Sequence, residues 1–425
     1  MMPRSSRPLF LHSAAQLLTL AGPAVPRRGP ALGELGVIRD GALIALRDKI
    51  LRVGSTRHLA GEARRLKAES INCRGRVVMP GFVDSHTHLV FAGNRVDDYE
   101  RRLHGLTYEE IARAGGGIAF SARLLRGATQ RHLVAQANRF LKEFAAHGTT
   151  TVEVKTGYGL DVTNELKILE VIRRLRRISP LELVPTLLAA HVLPQKYRGR
   201  AKVYLDLMTK QLLPTVARKR LAEFVDCFCD RGAFSVEDCR KLLSAGARLG
   251  LVPRVHAEQL SHTGASRMAV EIGAASADHL DHVTERDVRA LAHSTVVATL
   301  VPGANFHLGL RRFPPARRLI DAGAAVALAT DFNPGTSPTL NMQFILSLAC
   351  SAMRMTPAEA ISAATINAAY SLGRADRLGS LEPGKQADVI VLDVSNYREI
   401  PYYFAWNHCV LTVKRGRVIH SRLKA

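Results

Sequence analysis

Cysteine, tryptophan and acidic residues are all scarce in this chain of 425 residues. The six cysteines (Cys73, Cys227, Cys229, Cys239, Cys350 and Cys409) are too few to staple a chain of this length, and no two of them stand in CxxC spacing. A disulfide framework is therefore excluded, and a reducing, cytoplasmic setting is the expectation. No uninterrupted apolar run reaches about 18 residues, so no membrane span is expected. Aromatic residues make up only 6% of the chain, with Trp406 the single tryptophan, while hydrophobic residues reach 47% at a mean hydropathy of +0.01. That balance excludes both a disordered chain and a multi-span membrane protein, and the length admits one large core with an appendage.

Acids are outnumbered: 37 Asp and Glu stand against 59 Lys and Arg, a net charge of +22. The basic residues fall in short clusters, such as Arg173-Arg174-Leu175-Arg176-Arg177 and Arg218-Lys219-Arg220, on segments that read as the solvated faces of helices. No RNP, zinc-finger or basic-zipper pattern accompanies them, so nucleic acid is not the expected partner. A small anionic substrate is, because a basic field concentrates such molecules. Arg4 and Arg7 before an apolar stretch superficially resemble a targeting segment. His12 and Gln16 interrupt that stretch, which reads better as the opening strand of a folded domain.

From Arg76 to about Gly373, short β-rich runs alternate with longer amphipathic ones. The strand candidates are 77–84, 149–154, 183–189, 224–228, 252–256, 277–282, 295–300 and 325–329, each apolar and followed by polar or glycine-rich residues. Between them Leu133, Ala137, Phe140, Leu141 and Phe144 form one helical stripe, and Ile168, Val171, Ile172, Leu175 and Ile178 another. Ser235 is placed to cap a third helix, with Leu242, Leu243 and Leu249 inward. Eight strand–helix units predict an α/β fold, a TIM-like (β/α)8 barrel over residues 76–374 with its site at the C-terminal ends of the strands. Residues 1–75 and 375–425 hold short strand-like runs and are expected to form one small discontinuous β-sandwich domain built from both termini.

The first barrel strand runs into Asp84-Ser85-His86-Thr87-His88. Residues two apart on extended chain point to the same side, so both imidazoles can reach one ion. His256 and Asp331 stand at the ends of the fifth and eighth strands, and His279 within the sixth. Three imidazoles and a carboxylate suit Zn2+ or Fe ahead of Mg2+ or Ca2+. A catalytic ion keeps a coordination position open, so His86, His88, His256 and Asp331 are the expected ligands of a single ion. His279 is expected beside them as a group that handles protons.

These residues carry a resemblance. Pro80-Gly81-Phe82-Val83-Asp84-Ser85-His86-Thr87-His88, Thr365-Ile366-Asn367-Ala368-Ala369 and Gly384-Lys385-Gln386-Ala387-Asp388-Val389-Ile390 resemble the opening and closing motifs of the amidohydrolase superfamily. Leu89-Val90-Phe91-Ala92-Gly93-Asn94-Arg95, 151–160, His256-Ala257-Glu258-Gln259-Leu260 and 330–338 are similar to the imidazolonepropionase family within it, and the similarity runs over nearly the whole chain. The resemblance implies one Zn or Fe ion per chain and metal-dependent hydrolysis of the ring C–N bond of 4-imidazolone-5-propanoate to N-formimidoyl-L-glutamate, in histidine degradation. It also implies that Asp331 and His279 move the proton, that His191 polarises the ring carbonyl, and that Arg95 and Tyr158 hold the propionate. Asn333, Gly335 and Thr336 are implied to bind the same ligand, and a homodimer is a family expectation. Gln259 stands where some members of the family have Glu; it can bind a ring N–H but cannot act as a base. Lys155 lies near the place where two-metal relatives use a carboxylated lysine, and is read as structural or substrate-adjacent.

Other features are set aside. Cys227 and Cys229 share one strand face but read as buried strand cysteines. Gly115-Gly116-Gly117 lacks the following GK[ST] of a phosphate loop and reads as a loop over the barrel mouth. Met342, Met353 and Met355 read as helix packing. Two rival functions stand beside the first. A base deaminase or another cyclic amidohydrolase would not need the Arg95 and Tyr158 carboxylate clamp. A scaffold that had lost its chemistry would not need all four ligands.

Overall fold

The computed structural model describes residues 7–423; Arg4, and the outermost residues of the expected two-ended domain, lie outside them. Eight strands form a parallel sheet in sequential order: Phe82–Asp84, Thr149–Lys155, Glu182–Ala190, Phe224–Cys229, Val252–Ala257, Ser276–His279, Val297–Leu300 and Ala325–Leu328. An isolated parallel bridge between Thr87 and Phe332, with His88 N–H donating to the Phe332 carbonyl at 2.9 Å, joins the two ends of the sheet at its mouth. The result is a nearly closed barrel. Helices Gln130–Ala146, Val162–Ile178, Val236–Arg248, Ala265–Glu271, Glu285–Ala292 and Ala316–Asp321 lie in the connections, as parallel strands require. Thr129, Asp161 and Ser235 cap the first three, each side chain accepting the N–H three residues on. Two stripe residues fall off the core: Ile178 and Leu249 are exposed, because each sits at a helix end where the stripe has passed the edge of the barrel.

A second sheet draws on both termini. Its strands run in the order Arg417–Ser421, Cys409–Lys414, Val389–Leu392, Val77–Pro80, Leu9–Leu18, Val37–Leu46, Lys49–Ser55, with Glu69–Asn72 paired beside the first half of Leu9–Leu18. The run 77–84, read from sequence as one barrel strand, is therefore two. Val77–Pro80 belongs to the terminal sheet, pairing with Leu9–Leu18 and Val389–Leu392. Past Gly81, Phe82–Asp84 turns into the barrel. The strand serves two cores at once: Val77 and Met79 pack with the barrel, and Val78 with Leu11, Leu17, Val389 and Leu411 of the terminal sheet. That is the period-two alternation of a pleated strand buried on both faces. None of the described helices is long and apolar enough to cross a membrane.

Candidate metal centre

The first strand ends at Asp84, whose buried carboxylate accepts the Thr330 N–H at 3.0 Å and hydroxyl at 2.5 Å. This ties the chain beyond the first strand to the chain beyond the eighth. Asp331 N–H donates to the His86 carbonyl at 3.0 Å, and Asp331 itself sits at φ +53°. The strained turn aims its carboxylate across the mouth at the two histidines: Oδ1 lies 3.5 Å from His86 Nε2 and 3.4 Å from His88 Nε2. His256, next to the end of the fifth strand, brings its Nε2 within 3.5 Å of His88 Nε2. A tetrahedral ion bonded at ~2.1 Å sets its ligands about 3.4 Å apart, so these separations are those of groups awaiting one small cation. His86 Nε2 is buried with no hydrogen-bond partner, as an atom reserved for an ion would be. His279, last residue of the sixth strand at φ +80°, also converges: its ring lies with those of His86 and His256 in a second cluster that fits an ion. The donor set fits one divalent metal.

Behind the rings lies a buried charge network. His86 Nδ1–H donates to Asp278 at 2.7 Å, and His256 Nδ1 faces Asp226 at 3.0 Å. Each carboxylate lies on the Nδ1 side of its imidazole, so that Nε2 points inward. Burial and the nearby Lys155 charge oppose protonation of His86, but Asp278 and Asp331 outweigh them and raise its pKa to about 9. Burial dominates at His88, lowering it to about 4. Burial also disfavours an ionised Asp331, yet the surrounding histidines hold it well below the usual carboxylate range. Lys155 donates to Glu153 at 2.9 Å and to Asp226 at 2.8 Å, with Asp278 at 3.5 Å. Its ammonium is committed to three carboxylates. Arg254, equally buried, donates to the Ser85 and Ser371 carbonyls and lies 3.5 Å from Asp278. Asp226, Asp278, Glu153 and Arg254 escaped the sequence reading. Their signal was present: charged residues at the centres of strands otherwise apolar.

The centre opens into a cavity of about 320 Å3, lined among others by Arg95, Tyr158, His191, Phe228, Gln259, Asn333 and Thr336. Arg95 is buried, its Nε has no hydrogen-bond partner, and no described carboxylate pairs with it. A side chain on Gly335 would run into that guanidinium, so the bare backbone there gives Arg95 its seat. Asn333 builds the turn: its Oδ1 accepts the N–H groups of Gly335 at 2.9 Å and Thr336 at 2.7 Å, and its Nδ2 donates to the Asp331 carbonyl. Tyr158 is fully buried, its ring 6.0 Å from that of His88 and 5.6 Å from that of His191. His191 stacks on His88 at 5.1 Å and donates from Nδ1 to the Gly157 carbonyl at 3.1 Å. Burial, His88 and His256 hold its pKa well below the ordinary value. A neutral ring with its proton on Nδ1 presents a lone pair at Nε2, an acceptor facing the cavity side of the ring. Gln259 is half-buried at the rim, on a turn fastened by Asp230, which accepts the Leu260 N–H at 2.8 Å and the Ser261 hydroxyl at 2.6 Å.

Residues 77–419 match the model of the amidohydrolase family. The chain is 45% identical to the imidazolonepropionase of Geobacillus kaustophilus, covering 97% of this chain and 98% of that one. It is 46% identical to the imidazolonepropionase of Chloroflexus aggregans over the same shares. Among solved structures, the guanine deaminase of E. coli superposes with a TM-score of 0.74 at 16% identity, over 98% and 99% of the two chains. A zinc-bound adenosine deaminase of Xanthomonas campestris superposes at 0.68 and 17%, over 99% and 94%. These likenesses establish the fold. With the family model spanning most of its length and relatives this similar over nearly all of it, the chain belongs to the amidohydrolase family and, within it, to the imidazolonepropionases.

Proposed function

We propose that the chain hydrolyses the ring C–N bond of 4-imidazolone-5-propanoate, giving N-formimidoyl-L-glutamate, with one zinc or iron ion held by His86, His88, His256 and Asp331. One observation carries the reading: a buried guanidinium that pairs with no carboxylate among the described residues, Arg95, lines the same cavity as a set of converging metal-ligating atoms. Burying an unpaired charge costs several kcal/mol, so Arg95 is built to receive an anion such as a propionate. A bound divalent ion supplies Lewis acidity and brings the pKa of water down to about 7. The chain's own groups do the rest. Asp331, ionised, takes the proton from water as its oxygen adds to the ring carbonyl carbon. His279, neutral in its buried setting, passes that proton to the departing ring nitrogen. The C–N bond breaks, the ring nitrogen departs with that proton, and the former carbonyl carbon, still bonded to its ring carbon, becomes a carboxylic acid that loses its last proton to solvent. Tyr158 supports the propionate beside Arg95, with Asn333, Gly335 and Thr336 shaping that end of the cavity. His191 and Gln259 meet the two polar edges of the ring, His191 through its Nε2 lone pair and Gln259 through its amide.

We further propose that the protein works in the cytoplasm as a soluble enzyme, that residues 1–75 and 375–425, with the strand Val77–Pro80 between them, form a unit distinct from the barrel that follows, and that nucleic acid is not among its partners. The test is a substrate comparison. Freshly generated imidazolone propionate should be opened at a kcat/KM at least 100-fold above any deamination of guanine, adenine or cytosine. Faster deamination of a base would overturn the reading, because a neutral base has no use for Arg95.

A further inference from the structure

Glu165, in the first turn of the helix Val162–Ile178, is fully buried and touches neither the cavity nor the metal-ligating atoms. Its carboxylate gathers backbone donors from the loop that ends the second barrel strand: Gly157 N–H at 3.0 Å, Gly159 N–H at 2.8 Å and Leu160 N–H at 2.8 Å. Three donors on one side chain are far more than a helix's first turn needs, since Asp161 already caps it through the Asn164 N–H at 2.8 Å. The loop cannot hold this shape by itself. Gly157 sits at φ +110° and Leu160 at φ +56°, and their N–H groups have no strand partner. Arg126 fastens the far side, donating to the Gly159 carbonyl at 2.9 Å.

The loop has two outputs toward the cavity. Tyr158, between the gathered donors, lines it. The Gly157 carbonyl is the acceptor that fixes the His191 proton on Nδ1. We infer that Glu165 is a positioning residue for the reaction: by folding residues 156–160 around its carboxylate it sets the tautomer of His191 and the direction of Tyr158. The inference rests on the proposed imidazolone hydrolysis for its kinetic consequence, but its structural half stands apart from it.

A double-mutant cycle with an independent spectroscopic reading tests it. In Glu165→Gln the amide keeps one acceptor and turns an N–H toward a backbone N–H, so the loop loses its template at nearly constant volume. Glu165→Gln should lower kcat/KM for imidazolone propionate by about 30-fold in the parent protein, and by less than about 3-fold once His191 is already alanine. In 15N spectra of the metal-loaded protein, His191 should carry its proton on Nδ1 in the parent and lose that preference in Glu165→Gln. Should Glu165→Gln fail to fold, Gly159→Ala replaces it. The added Cβ meets Glu165 backbone and carboxylate and pushes the same loop away, with the same coupling to His191 expected. Equal losses with and without His191, together with an unchanged tautomer, would overturn the inference. A parent protein that leaves imidazolone propionate intact would count against the proposed function alone, since the tautomer still decides what Glu165 does.

Discussion

His88 and Arg95 stand seven residues apart on the same stretch after the first strand, yet they make separable demands. His88→Ala removes one of the atoms that converge at about 3.5 Å, so the purified protein should lose its stoichiometric metal, measured by elemental analysis on protein exchanged into metal-free buffer. Arg95→Ala should leave the metal in place and raise KM by about 30-fold or more with a much smaller change in kcat, the loss expected when one member of a buried charged pair is truncated. An unchanged KM would show that the anion binds elsewhere. The meeting of His86, His88 and Asp331 was legible in the sequence, the first two from their i, i+2 spacing and the third from its place after the eighth strand, whereas Arg95 was reached only through the family resemblance. Asp226 and Asp278 were not, since their partners are His256 and His86, 30 and 192 residues away, and only the barrel brings them together. The tautomer of His191 was equally out of reach, depending on a carbonyl from a different strand end.

Among the elements, the second strand does more than carry its loop. Lys155, its last residue, neutralises Glu153, Asp226 and Asp278 together with Arg254. Lys155→Met would leave three buried carboxylates facing one guanidinium. It should destabilise the protein by about 3–5 kcal/mol in urea unfolding and weaken metal retention, through the carboxylates that orient His86 and His256. An unaltered midpoint would mean the carboxylates are neutral in the fold. The turn after the eighth strand has its own test. Gly335→Ala places a methyl where the Arg95 guanidinium lies, so it should reproduce the KM defect of Arg95→Ala with the metal retained. Strand and helix existence was legible from periodicity. What periodicity missed was the break at Gly81, because both halves of 77–84 are apolar and buried and differ only in which sheet they join. Ile178 and Leu249 were misplaced for the opposite reason: the stripe continues in sequence after the surface it packs on has ended.

For the molecule as a whole, the join between barrel and terminal sheet is electrostatic as well as apolar. Glu182, at the start of the third barrel strand, takes hydrogen bonds from Arg374, Arg377 and Arg415, with Lys414 at 3.8 Å. Burial would raise its pKa, but this ring of cations, Arg377 foremost, lowers it to about 2. A carboxyl depressed in the folded state stabilises above its unfolded value near 4.5 and loses that contribution as pH falls toward 2. Glu182→Gln should therefore cost stability at pH 7 and flatten the decline of unfolding free energy between about pH 4.5 and 2, followed by denaturant titration at each pH. A parallel decline in both proteins would place the acid sensitivity elsewhere. The most direct test of the whole account is the decay of imidazolone propionate ultraviolet absorbance, followed beside the metal content of the same sample before and after chelation. The account predicts one zinc or iron ion per chain, decay that stops when the ion is stripped, and recovery when it is returned. Decay that continues at full rate in metal-free protein would contradict it.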